Sequence, residues 1–141
     1  MSTVDRFRAA VDHRDLTALE ALFTEDARLY SPVKFTPFEG RAMVMALFGV
    51  LLRTFEDFRY VGRFEGSVEA AGAGAAEGPA AVLVFRATVN GKEINGIDML
   101  HFDTDGEGLI KEITVMVRPQ SAVQALGEAV LAGQVADGLV S

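Results

Sequence analysis

Apolar residues recur every three or four positions in the first third of the chain and every second position after it, which marks a change from helix to strand. Ser2 with Asp5 three residues on has the spacing of a capping pair, and Val4, Phe7, Ala10 and Val11 follow as a one-sided stripe. A first helix to about His13 is predicted. Asp15 stands where it can cap a second short helix, ending near Thr24, with Leu16, Leu19, Leu22 and Phe23 inward. Two prolines break the stretch from Asp26 to Pro37 into short strand pieces and turns. From Gly40 the helical period returns, and Val44, Leu47, Phe48, Leu51, Leu52 and Phe55 predict a third helix from Arg41 to about Phe55. It is nearly all apolar and should carry most of the core.

From Phe58 the period is two. Phe58, Tyr60, Phe64 and Val68 fall on one side and Arg59, Arg63, Glu65 and Glu69 on the other, as in a half-exposed strand. The Ala/Gly stretch from Ala70 to Ala81 has no large apolar side chain to anchor it and reads as a mobile hairpin loop. Three more strands follow, Val82 to Val89, Ile94 to Phe102 and Leu109 to Val117, joined through Asn90-Gly91 and the turn from Asp103 to Gly108. The sheet is expected to be antiparallel. After Arg118-Pro119, Ser121 can cap a last helix through Val123, Leu126, Val130 and Leu131, with a loosely held tail beyond Gly133 (about 134–141). The pattern predicts one α+β domain, 1–141, in which a curved sheet folds over a long apolar helix and can close into a cone around a pocket.

Composition narrows the possible functions. A length of 141 residues suits a single core, and 50% hydrophobic residues exclude a disordered chain. Twenty acidic against thirteen basic residues leave a formal charge of -7, which argues against nucleic acid and anionic lipid as partners. With no cysteine, thiolate nucleophiles and thiolate metal sites drop out, and two histidines do not make a zinc site. The first residues have no apolar signal core, and the longest apolar run, Ala42 to Leu52, is too short to span a bilayer. The expectation is a soluble, cytoplasmic protein without cofactor or metal.

Asp98 is the most informative residue. In the strand from Asn95 to Phe102, alternation puts it on one face with Leu100 and Phe102, whereas Ile97, Met99 and His101 face the other way. An acid among large apolar groups on a concave face should have a raised pKa, as in enzymes that use a carboxyl as proton shuttle or neutral hydrogen-bond donor. The alternative is an aspartate held by backbone amides or by Arg86. His101, on the opposite face, reads as a surface or interface residue, and His13 as a cap at the end of the first helix. Asp103 and Asp105 resemble the start of a calcium loop but lack its glutamate, so turn chemistry accounts for them. The outward faces, with Ile97, Met99, Ile110 and Met116, are apolar enough to predict a homodimer packed sheet against sheet.

Several segments together resemble the nuclear transport factor 2-like superfamily, and within it the SnoaL-like polyketide cyclase and steroid Δ5-isomerase group. They are Asp15-Leu16, the run from Ala21 to Ala27, Pro32, the run from Phe38 to Arg41, Gly96-Ile97-Asp98 and the hairpin from Gly106 to Val117. The resemblance implies a cone-shaped sheet wrapped around N-terminal helices, a scaffold that hosts many reactions and also non-catalytic modules. It places Asp98 where steroid isomerases keep the protonated aspartate of their oxyanion hole. Ser31 stands where those enzymes have their base, and Phe7 where they have a tyrosine. Val115 takes the place of the second aspartate of limonene-epoxide hydrolases.

Two functions fit these residues. In the first, a small apolar molecule, polyketide- or steroid-like, binds in the cone, and isomerase- or cyclase-type proton transfer uses Asp98 with Tyr30 as a second donor near the mouth. Its walls would be Phe7, Phe23, Phe48, Leu52, Phe85, Leu100, Phe102, Val115 and Val117. In the second, the protein is a non-catalytic ligand-binding or dimerisation module and Asp98 is structural.

Overall fold

Ser2 and Asp5 form the reciprocal cap their spacing announces: the Ser2 hydroxyl accepts from the Asp5 amide and the Asp5 carboxylate accepts from the Ser2 amide. They open α1 (Thr3–Asp12), in a computed structural model that describes residues 2–69, 71, 76–105 and 107–140. His13 caps the other end, with its ring 2.8 Å from the Ala9 carbonyl. Asp15 accepts from the Ala18 amide at the start of α2 (Leu16–Glu20). That helix stops short of Thr24, because Phe23 already begins β1 (Phe23–Tyr30) and pairs with Ile110. After β2 (Phe38–Glu39) comes α3 (Arg41–Thr54), followed by β3 (Glu56–Glu69), β4 (Glu77–Val89), β5 (Lys92–Phe102), β6 (Ile110–Arg118) and α4 (Gln120–Ala136).

The six strands make one curved sheet in the order β2-β1-β6-β5-β4-β3. It departs from the expected antiparallel pattern at one place among the described residues: β1 runs parallel to β6. The helix α3 separates β1 from the hairpins, and three reversals between β3 and β6 leave β6 running in the same direction as β1. Asn90 and Gly91 take the positive φ values of 47° and 79° that a two-residue hairpin demands. The mobility expected between Ala70 and Ala81 falls largely on residues 70 and 72–75, which lie outside the described residues, and from Glu77 that stretch is strand. Pro79 is tolerated in it because β5 pairs with β4 only from Ala80 onward, leaving one flank of Pro79 free. The Asp103 and Asp105 carboxylates accept from the amides of Leu109 and Glu107, as turn residues do; Gly106 lies outside the described residues.

Phe7 from α1, Phe23 from β1 and Phe48 from α3 meet beneath the sheet with ring centroids 5.8 to 6.4 Å apart, and they anchor the core. Helix α4 starts from Pro119 with no side-chain cap, so Ser121 does not have the capping role expected of it. The helix passes Gly133, where a loosely held tail was expected, and runs to Ala136. There Arg53 of α3 donates to the Gly133 carbonyl and pairs with Asp137 at 2.7 Å.

Two further expectations are corrected by register. Tyr60 pairs with Phe85 while Gly62 pairs with Val84, so Val61 is an extra residue and a bulge. Everything beyond it changes face, and Phe64, expected beside Tyr60, is 68% exposed on the outer side opposite Val82. A shift between His101 and Phe102 likewise turns Ile110 into the core, where it is fully buried, instead of onto the outer face. His101 does face outward, but it is no surface residue. It is 2% exposed, with Nε2 3.3 Å from the Glu69 carbonyl and Nδ1 3.5 Å from Glu112, whose carboxylate also accepts from the Ala71 amide.

Candidate functional site

Asp98 sits in the middle of β5, flanked on the inner face by Leu83 of β4 and Val115 of β6. Alternation along β5 places it there and the curvature of the sheet encloses it. It is buried, and among the described residues neither Arg86 nor a backbone amide holds it. Its partner is Tyr60, whose phenol donates to Oδ2 at 2.7 Å. Burial raises the Asp98 pKa from 3.8 to about 7, against the Tyr60 hydrogen bond, which acts to lower it. The same burial, then the charge of Asp98, hold the Tyr60 phenol well above its ordinary range, so it remains a neutral donor. Arg8 of α1 lies 5.9 Å over the Tyr60 ring and donates to the Tyr60 carbonyl.

This pair faces a cavity of about 130 Å³. Its walls are Phe48, Leu51 and Leu52 of α3, Phe55 and Phe58 around the start of β3, and Val115. Val11, Asp12 and Arg14 close it from the end of α1. Of the wall residues expected from the sequence, Phe48, Leu52 and Val115 are brought together around Asp98. Phe7, Phe23, Phe85, Leu100 and Phe102 pack into the core instead, and Val117 packs against it. Phe85 plugs the narrow end of the cone by lying over Gly96, where any Cβ would collide with its ring. It stacks on Phe58 at 4.8 Å and meets Phe55 edge-on. The plug leaves room for little more than a single ring, since ordinary small-molecule pockets span roughly 300–1,000 Å³ and an apolar cavity of about 150 Å³ holds one benzene.

Tyr30 is not part of this constellation. It pairs with Thr114, which pairs in turn with Met99, and that row lies on the outer face, away from Asp98 and Val115. Ser31 lines a different cavity of about 240 Å³, between α3, α4 and the β1–β2 connection, on the other side of Leu51. The donor that does reach Asp98 is Tyr60, which the sequence had shown only as an inward ring on β3 beside Phe58. Asp12 and Arg14 were missed as well, because nothing local to a helix end indicates which cavity it closes.

A model of the SnoaL-like domain matches residues 4–113. The chain belongs to the SnoaL-like domain family. Its architecture is that of the nuclear transport factor 2-like superfamily, as solved structures agree. An uncharacterised cystatin-like-fold protein from Silicibacter pomeroyi superposes with a TM-score of 0.81 at 28% identity, covering 96% of this chain and 87% of the other. A steroid delta-isomerase from Pseudomonas aeruginosa does so with a TM-score of 0.78 at 34% identity, covering 99% and 93%. A putative SnoaL-like polyketide cyclase from Shewanella denitrificans, at 14% identity and a TM-score of 0.59 over 92% and 95%, shares the fold alone. No curated protein matches the chain. No helix among the described residues of this SnoaL-like protein is long and apolar enough to cross a membrane.

Proposed function

We propose that this SnoaL-like protein binds a compact apolar carbonyl compound, a single ring or one ring of a larger polyketide- or steroid-like molecule, and promotes proton transfer on it. The observation that carries this reading is the Tyr60–Asp98 pair: a buried carboxyl, poised near neutrality, facing a ring-sized cavity. With Tyr60 donating to Oδ2, the proton of neutral Asp98 sits on Oδ1 and is available to a ligand oxygen. A carbonyl hydrogen-bonded there would have its enolate form stabilised, since a donor in a dry site acts most strongly where negative charge develops. The likeness to a steroid delta-isomerase supports this class of chemistry.

Phenols mimic the oxyanion of such an enolate and fit the cavity. Calorimetric titration with a series of substituted phenols should give binding that weakens at least tenfold in Asp98→Asn and in Tyr60→Phe. Equal affinity in all three proteins would refute the role of the pair. A second reading, a ligand-binding module without catalysis, is favoured by Ser31, which offers no base and lies in the other cavity. Tight phenol binding with no proton exchange on any bound ketone would select it.

The protein acts as a homodimer through its outer sheet face. Gly62, Val84, Ile97 and Met116 form one outward row across four strands, and Phe64, Val82 and Met99 form the next. Phe64, Val61 and Met116 are more than half exposed in the single chain, and leaving such a surface wet is costly. A monomer in light scattering at micromolar concentration would contradict the dimer.

A further inference from the structure

The cavity has a second carboxylate that the reading above leaves idle. Asp12 ends α1 and lines the same cavity as Tyr60 and Asp98, but at its mouth, where it is exposed. Local preference does not explain its presence. The last turn of a helix carries partial negative charge, which disfavours an acidic side chain, and no basic residue stands in that turn. No cation among the described residues lies within ion-pair distance of it. Two residues on, Arg14 takes a φ of 51°, a left-handed conformation unfavourable for any side chain with a Cβ, and so reaches the same mouth. Unfavourable local choices gathered at one cavity are the signature of a functional corner.

We propose that Asp12 is the proton acceptor that works opposite the Tyr60–Asp98 pair. The inference rests on the function proposed above and completes it. One carboxyl stands in the buried wall of the cavity and the other at its exposed rim, so a ring bound there meets both. Asp12 takes a proton from the carbon α to the ligand carbonyl. The C–H electron pair becomes the new C=C bond, and the carbonyl π pair moves onto the oxygen, which Asp98 hydrogen-bonds. In a β,γ-unsaturated ketone, Asp12 then returns the proton to the γ carbon, the double bond shifts into conjugation and the carbonyl reforms. Atoms and charge balance without a co-reactant. The charge of Asp12 already acts on the Tyr60 phenol, so the two halves of the site lie within electrostatic reach of each other.

The probe is 3-cyclohexen-1-one, a single ring, followed by the ultraviolet absorbance of its conjugated product and by deuterium uptake from heavy water. Asp12→Asn should lower kcat by about 10²–10⁴, the usual contribution of a general base, with KM and phenol affinity unchanged, and Asp12→Glu should recover part of the rate. Isomerisation by Asp12→Asn at the wild-type rate overturns the inference, as does a wild-type protein that binds phenols through Asp98 but neither isomerises nor exchanges the probe. If phenol binding itself ignores Asp98→Asn, the reading beneath has failed instead.

Discussion

Tyr60 and Asp98 stand on β3 and β5, with the whole of β4 between them, yet the phenol reaches the carboxylate at 2.7 Å. Sheet curvature brings the two inward side chains together. Phe85, the β4 residue opposite Tyr60, leaves the space open by lying over Gly96 rather than standing between them.

The burial of Asp98 makes stability depend on pH with a definite sign. Its pKa is raised on folding, so between about pH 4 and pH 7 the folded chain holds a proton that the unfolded chain has released. Stability falls as pH rises through that window and then levels off. A shift from 3.8 to about 7 corresponds to about 4 kcal/mol at 1.36 kcal/mol for each pH unit. Asp98→Asn should remove this dependence, gaining on the wild type by up to about 4 kcal/mol between pH 4 and pH 8 in urea melts.

Removing the Tyr60 hydroxyl takes away a hydrogen bond that favours ionised Asp98. Tyr60→Phe should therefore move the Asp98 titration further upward, as its carboxyl carbon shift would show. A downward move would mean that water replaces the phenol.

Gly96 allows the close approach of Phe85 and the sheet. Gly96→Ala should push the ring off its stack with Phe58, costing about 1–3 kcal/mol in chemical denaturation, as overpacking does, and weakening phenol binding in parallel.

On the outer face, the buried Glu112 accepts from the amide of the exposed Ala71 and lies 3.5 Å from the buried His101 ring. Glu112→Ala removes the acceptor of the Ala71 amide and the carboxylate beside His101, and should cost about 0.5–1.5 kcal/mol, the net worth of one hydrogen bond, read as a lower midpoint in urea.

Asp12 opposes the dipole of its own helix. Asp12→Asn should therefore raise stability by about 0.3–1 kcal/mol while slowing proton transfer by about 10²–10⁴, a gain expected only where the residue is kept for function.

What could be read from the chain was what local rules govern. The Ser2–Asp5 cap, the Asn90-Gly91 turn and the inward aim of Asp98 each follow from spacing or alternation within a few residues. What could not be read depends on pairing between distant segments. The bulge at Val61 reverses the face of Phe64, and Gly62 beside it is a local sign of a bulge that does not say how the register changes. Tyr30 points outward because of the register β1 takes beside β6, which packing across the core sets. Tyr60 reaches Asp98 only through the curvature of three strands, and Phe85 fills a cone end that composition alone would leave open.

The most direct test is the titration of Asp98 itself, followed by carboxyl carbon NMR with the resonance assigned through Asp98→Asn. A midpoint near pH 7 is the predicted result. A midpoint near 3.8 would mean a hydrated carboxylate and would contradict the account.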